Sequence, residues 1–314
     1  MENNILGLHH VTAIANHAKR NLDFYTKIMG LRLVKKTVNF DDPGTYHFYY
    51  GNETGAPGTI LTFFPWEGIG KGTNGSGMAT HIGYSVPKGA LEFWKKHLDD
   101  HKILYQQERI FDEPLLSFQD PDGLHLQLIE PDATDNRSVW TTDKISENVA
   151  IKGFYNVTLT LQHASATANV ITDVLGYKFQ KQDGNRYRYA TDSIDTAHLI
   201  DIIEDANIPR GLNAAGTNHH IAFRVKDDDT LMQVREKVLT AGLNITHKID
   251  RDYFFSLYFR EPGGVLFEIA TDNPGFTVDE PLAELGSSLK LPKQYEPARQ
   301  RIEEVLPKLN LLSR

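Results

Sequence analysis

The chain repeats itself four times, and that repetition limits what it can fold into more than any other feature. The stretch NLDFYTKIMGLRLVKKT (21–37) reads as an amphipathic helix, a glycine stop and a strand, and NVITDVLGYKFQKQ (169–182) follows the same grammar. ALEFWKKHLDDHKI (90–103) and LMQVREKVLTAGLNI (231–245) share it more loosely. Each helix follows a short strand, at 8–14, 80–86, 155–161 and 219–225. Each is followed by further strands, among them YHFYYGN, TILTFFPW, LLSFQDP, LHLQLIE, RYRYATD, HLIDIIE, FSLYFRE and VLFEIAT. DPDGLHLQL and EPGGVLFEI carry the paired turn residues of a closing hairpin. The pattern predicts an α+β fold of four βαβββ modules. Near 132–150 the stretch PDATDNRSVWTTDKISENVA is polar and aperiodic, which divides the modules into an expected pair of domains, 1–135 and 150–278, with a tail at 279–314.

Within this frame the strand periodicity sorts side chains onto two faces. In LHHVTAI alternation places His9, Val11 and Ala13 on one face and Leu8, His10, Thr12 and Ile14 on the other. In HHIAFRV it joins His219 to the apolar row Ile221, Phe223 and Val225, leaving His220 opposite. In VLFEIA, Glu268 stands alone between Val265, Phe267 and Ile269 and points the other way. Each sheet therefore has an apolar back and a mixed front, and His10, His220 and Glu268 fall on fronts. Two neutral imidazoles and one carboxylate make the facial triad that holds non-haem Fe(II) with positions left open.

The other two modules serve as a control. Aligning PDGLHLQ with PGGVLFE puts Gln127 where Glu268 stands; the same exercise puts His81 at the place of His220 and Asn156 at that of His10. A set of one imidazole and two amides is a poor divalent-metal site, so one metal per chain is expected. With no cysteine in 314 residues, disulfides, cysteine-held zinc, iron–sulfur clusters and thiol nucleophiles are excluded. A net charge of −8 argues against nucleic-acid or anionic-membrane partners and leaves small molecules. No long apolar run and no signal-like start are present, so a cytoplasmic location is expected.

The four-module grammar, with LHHVTAI, PGTILTFFP, NHHIAF, RDYFFSLY, REPGGVLFEIATDNPGF and the tail LGSSLKLP, resembles the vicinal-oxygen-chelate superfamily. Within it, the chain resembles the ring-cleaving dioxygenases that act on hydroquinones. The resemblance spans nearly the whole chain. It implies two glyoxalase-like domains, Fe(II) on His10, His220 and Glu268 (Mn(II) being the other candidate), and an active site completed by Arg251, Tyr258, His9, His219 and Thr12. The implied reaction is extradiol-type cleavage of a hydroquinone or related phenol by O2, in a possible homo-oligomer. The residues fit these places on their own terms. Tyr258 shares a front with Ser256 and can orient or protonate an oxygen, while Arg251 offers a fixed cation for a phenolate. Alternation assigns His9 and His219 to the faces away from the metal, as supporting or packing groups. Two rival readings are a glyoxalase-like lyase or isomerase using Ni or Zn, and a binding protein that sequesters an aromatic compound.

Three further features are read as structural. His97 and His101 have the i,i+4 spacing of a helical zinc pair but stand in WKKHLDDHK, which favours a solvated face. GIGKGTNGSG (68–77) lacks the end of a phosphate loop and reads as a lid or connector. In the tail, Ile302, Val305, Leu306 and Leu309 share a helical stripe that should dock on the body.

Overall fold

The computed structural model describes residues 4–309; the outermost ends of the first expected domain (1–3) and of the tail (310–314) lie outside the described residues. The four modules are present in order. The first is β1 (Leu8–Ala15), α1 (Ala18–Asp23), β2 (Arg32–Val38), β3 (Tyr46–Gly51) and β4 (Ile60–Pro65). The second is β5 (Met78–Ser85), α2 (Ala90–Asp100), β6 (Tyr105–Ile110), β7 (Glu113–Gln119) and β8 (His125–Ile129). The third is β9 (Gly153–Leu161), α3 (Ser165–Asn169), β10 (Lys178–Asp183), β11 (Arg186–Ala190) and β12 (Leu199–Glu204). The fourth is β13 (Thr217–Val225), α4 (Asp228–Thr240), β14 (Ile249–Asp250), β15 (Phe254–Arg260) and β16 (Leu266–Pro274), and the tail carries α5 (Arg299–Val305).

Two eight-stranded sheets result, ordered β14-β15-β16-β13-β1-β4-β3-β2 and β10-β11-β12-β9-β5-β8-β7-β6. Each joins one module from the first half of the chain to one from the second, through an antiparallel seam of their first strands, β1 with β13 and β5 with β9. That seam places His10 beside His220. The sheet backs and the helices share a continuous core in which α2 buries Leu91, Trp94 and Leu98 and α4 buries Leu231, Val234 and Val238. No helix among the described residues is long and apolar enough to cross a membrane.

Several local expectations are refined. The helices of modules one and three are short and run into a single π turn, at Phe24–Ile28 and Val170–Val174, where Met29 N–H donates to Phe24 O at 2.9 Å. The wider turn lets Phe24, Tyr25 and Met29 all reach the core. His97 is not on a solvated face: it is buried, its Nε2 lies 2.9 Å from Ile28 O, and its ring stacks on Phe93. The glycine-rich loop is a connector paired with the corresponding connector between modules three and four, through bridges Lys71–Ala215, Thr73–Leu212 and Ser76–Arg210. A Cβ at Gly75 would come within 2.4 Å of Pro209 O, so the close approach requires glycine. In the tail Ile302, Leu306 and Leu309 are buried as expected, but Val305 is 61% exposed because the helix ends there.

Candidate metal centre

Three adjacent strands at the middle of the first sheet, β16, β13 and β1, deliver three side chains to one buried point. His10 comes from β1, His220 from β13 and Glu268 from β16, and one ligand atom of each lies within 4.8 Å of the other two. The Nε2 atoms of His10 and His220 stand 3.1 and 2.8 Å from the same oxygen, Glu268 Oε2. Glu268 Oε1 has no hydrogen-bond partner and Oε2 faces only these two imidazole nitrogens, although the side chain is fully buried. A buried carboxylate left in this state costs several kcal/mol, roughly, unless a cation completes it. Burial alone would raise the Glu268 pKa; His10 and His220 outweigh it and hold the group well below the carboxylate range. Burial lowers the His220 pKa against the pull of Glu268, favouring the neutral imidazole that ligates metals. The donor set therefore fits a divalent ion.

The strands do not alternate strictly around this point, and the expected placement of His9 and His219 is corrected accordingly. In the β1–β13 ladder Leu8 pairs with Phe223 and His10 with Ala222, so His9 is the extra residue of a β-bulge. Thr12 pairs with His220 and Ala13 with Asn218, so His219 is the extra residue of a second one. Leu8 takes the core position that alternation gave to His9, and both extra histidines turn toward their ligand neighbours. His9 Nδ1 lies 2.9 Å from His10 Nδ1, and His219 Nδ1 lies 2.8 Å from His220 Nδ1. His9 Nε2 reaches Thr271 O at 3.1 Å. Burial, with the neighbouring ligand histidine, lowers the pKa of His9 far below its ordinary value and that of His219 to about 3.

Above the triad is a cavity of about 310 Å³, lined by His10, Thr12, His219, His220, Arg251 and Tyr258 together with aromatic and loop residues. Tyr258 is paired with Glu268 across β15–β16, and its ring meets that of His220 edge-on at 5.6 Å. Burial and then the Glu268 charge push its hydroxyl pKa upward, so it stays protonated. The Arg251 guanidinium lies 5.3 Å from the Tyr258 ring centroid and 5.4 Å from that of Phe40. Burial opposes the Arg251 charge, but Tyr258 and Glu268 more than offset it. All eight residues singled out from sequence are thus at the triad or its cavity; six line the cavity wall, while Glu268 lies beneath it in the triad and His9 stands behind His10.

The wall also contains residues that sequence reasoning passed over: His47, Tyr49, Phe64, Trp66, Phe254 and the loop 39–42. A signal for two of them was available. In YHFYYG alternation puts His47 and Tyr49 together, opposite the core residues Tyr46, Phe48 and Tyr50.

The second sheet shows what the site looks like without ligands. Its ladders place Asn156, His81 and Gln127 at the positions of His10, His220 and Glu268, and repeat the bulges at Tyr155 and Thr80. There Asn156 Nδ2 donates to Asp201 at 2.8 Å and Gln127 Nε2 donates to Ser117 at 3.2 Å. Arg188 clamps Asp201 through two bonds of 2.7 and 2.9 Å. The geometry of the repeat survives while its amide N–H groups are taken up by neighbours, with only neutral amide oxygens, Asn156 Oδ1 and Gln127 Oε1, left without a partner.

Two segments of the chain, 7–128 and 155–269, match the model of the Glyoxalase/Bleomycin resistance protein/Dioxygenase superfamily. The chain is 47% identical over 303 residues to a Bacillus subtilis protein named "Putative ring-cleaving dioxygenase MhqE", covering 96% of this chain and 99% of that one. It is 36% identical over 305 residues to the chlorohydroquinone/hydroquinone 1,2-dioxygenase of Sphingobium indicum, covering 94% of each. A solved Bacillus subtilis structure, titled a "putative dioxygenase", superimposes with a TM-score of 0.94 at 43% identity over 99% of this chain and 100% of that one. The fold, the duplicated site geometry and these likenesses agree: the chain belongs to the glyoxalase, bleomycin resistance protein and dioxygenase superfamily.

Proposed function

We propose that this protein is a cytoplasmic Fe(II)-dependent extradiol-type dioxygenase that opens the ring of a hydroquinone or closely related phenol with O2. The observation that carries the reading is the buried set of two imidazoles and one carboxylate, whose oxygens have no hydrogen-bond partner beyond those imidazoles, set under an aromatic-walled cavity. The likeness to a hydroquinone dioxygenase over nearly the whole chain supports the substrate class. Bound by His10, His220 and Glu268, Fe(II) would supply redox chemistry toward O2 and lower the pKa of a coordinated phenol.

The chain's own residues supply the rest. Phe40, Phe64, Trp66 and Phe254 offer apolar walls for a ring. Arg251, ionised and half-sheltered, meets negative charge that develops on a ring oxygen. Tyr258, kept protonated, donates to an oxygen in the cavity. The glyoxalase-like alternative needs a second carboxylate as base beside the metal. The other cavity carboxylates, Asp41 and Asp42, are exposed at the rim.

The test is anaerobic loading with Fe(II), followed by oxygen uptake over a panel of hydroquinones and catechols. One O2 should be consumed per ring opened, and peroxide should inactivate the enzyme. Turnover by a Zn(II) or Ni(II) form as fast as the Fe(II) form, or product under strict anaerobiosis, would replace the reading with the lyase one.

A further inference from the structure

His47 lines the cavity, is 8% exposed, and has both ring nitrogens engaged. Its Nδ1 lies 3.0 Å from the Tyr49 hydroxyl and its Nε2 lies 2.9 Å from Thr62 Oγ1. Thr62 Oγ1 lies 2.9 Å from Thr12 Oγ1. The four side chains form an unbroken row across β3, β4 and β1. Thr62 is fully buried in the middle, while Thr12 and Tyr49 line the cavity at the two ends. Thr12 is the end nearest the ligands, since it stands opposite His220 in the β1–β13 ladder.

Every member of this row is neutral and can donate and accept, so the row has two polarities. In one, Thr12 donates to Thr62, Thr62 to His47 Nε2, and His47 Nδ1–H to Tyr49. In the other, each bond is reversed. Burial, reinforced by His10, His220 and Arg251, lowers the His47 pKa far below its ordinary value, which suits a group that changes tautomer without becoming charged.

The second sheet provides the contrast. Where the active sheet has His47, Tyr49, Thr62 and Thr12, the ladders place Arg186, Arg188, Asp201 and Thr158. Arg186 lies 3.4 Å from Asp201 and 3.2 Å from Thr158, and Arg188 grips Asp201. Such a row ties strands together but passes no proton, because arginine does not give one up. Neutral, exchangeable groups accompany the ligand triad; fixed ions occupy the half that lacks it.

We propose that Thr12, Thr62, His47 and Tyr49 form a proton relay that carries a phenol's proton away from the ligand end of the cavity. This rests on the phenol-opening reading. The phenol O–H bond breaks as an O–H bond forms at Thr12. The Thr12 proton passes to Thr62, the Thr62 proton to His47 Nε2, the His47 Nδ1 proton to Tyr49, and the Tyr49 proton to water or a second ring oxygen. One proton enters, one leaves, and His47 ends with its proton on the other nitrogen.

Two measurements test this. In protein labelled with ¹⁵N-histidine and loaded with diamagnetic Zn(II), adding hydroquinone should move His47 from the Nδ1–H to the Nε2–H tautomer. Wild type and Thr62→Ser should both respond, and the isosteric but aprotic Thr62→Val should not. In the Fe(II) enzyme, Thr62→Val and Tyr49→Phe should each lower kcat by about ten- to a hundredfold at unchanged iron content, with Thr62→Ser recovering most of it. An unmoved His47 tautomer in wild type, or full kcat in Thr62→Val, overturns the relay. A tautomer switch without ring opening of any phenol supports the relay and defeats the dioxygenase reading, whereas ring opening with full kcat in Thr62→Val defeats the relay alone.

Discussion

At the scale of single residues, the tautomers of His9 and His10 follow from one backbone carbonyl. Thr271 O can only accept, so His9 Nε2 carries the proton there. His9 Nδ1 is then an acceptor, His10 Nδ1–H donates to it, and the His10 Nε2 lone pair is left facing Glu268. His9 thus acts through His10. His10→Ala, His220→Ala and Glu268→Ala should each abolish metal binding, whereas His9→Ala should weaken it by roughly 10- to 100-fold, as loss of a group that orients a ligand does. A metal titration showing His9→Ala as empty as His10→Ala would make His9 a ligand in its own right.

At the scale of elements, two features repay measurement. The edge strand β2 is closed by the tail: Lys35 is fully buried, ion-paired to both Asp279 and Glu280, and Lys290 N–H donates to Lys36 O at 2.9 Å. Removing the cation leaves Glu280 buried with only the hydrogen bonds from Gly286 and Ser288 to hold its charge, so Lys35→Ala should cost about 3 kcal/mol in urea unfolding. A loss under 1 kcal/mol, roughly the value of a surface pair, would show that the tail is held by other contacts.

The second is the turn DPDG of module two. Asp120 accepts from the backbone N–H groups of Asp122 and Leu124, both at 2.9 Å, and from the Tyr25 hydroxyl at 3.0 Å. Burial nevertheless wins and raises its pKa to about 6. The native state therefore holds this proton more tightly than the unfolded chain, and the contribution present below about pH 4 is lost as pH rises through about 6. Asp120→Asn should flatten the stability profile across that window. An unchanged slope would place the titration elsewhere.

At the scale of the whole molecule, the two sheets share one architecture and differ in what fills it. One metal per chain is the expectation, since Asn156, His81 and Gln127 offer no charge to a divalent ion and two of them are committed to neighbours. His81→Ala and Gln127→Ala should leave metal content at one per chain; a second ion lost on mutating His81 would contradict this. The sheets also draw His10 from one half of the chain and His220 and Glu268 from the other. Separately expressed halves, cut in the polar stretch 131–150, should hold no tightly bound iron alone and recover it when mixed, as read by metal analysis after gel filtration.

The sequence by itself determined the four modules and pointed to His10, His220 and Glu268 as ligand candidates, because a period-two pattern inside a fourfold repeat shows which side chains face the core. Alignment of the repeats also marked the second site as empty of charge, a comparison made within one chain. What only the tertiary structure decided lies where the pattern is locally broken or where strands meet that are far apart in sequence. The bulges at His9 and His219 shift one residue against its partner strand, so alternation misplaces both histidines. The row from Thr12 to Tyr49 exists because β4 lies between β1 and β3, an adjacency set by sheet pairing. The pairing of module one with module four, which completes the triad, is likewise made by the antiparallel seam of β1 with β13, strands about two hundred residues apart in the chain.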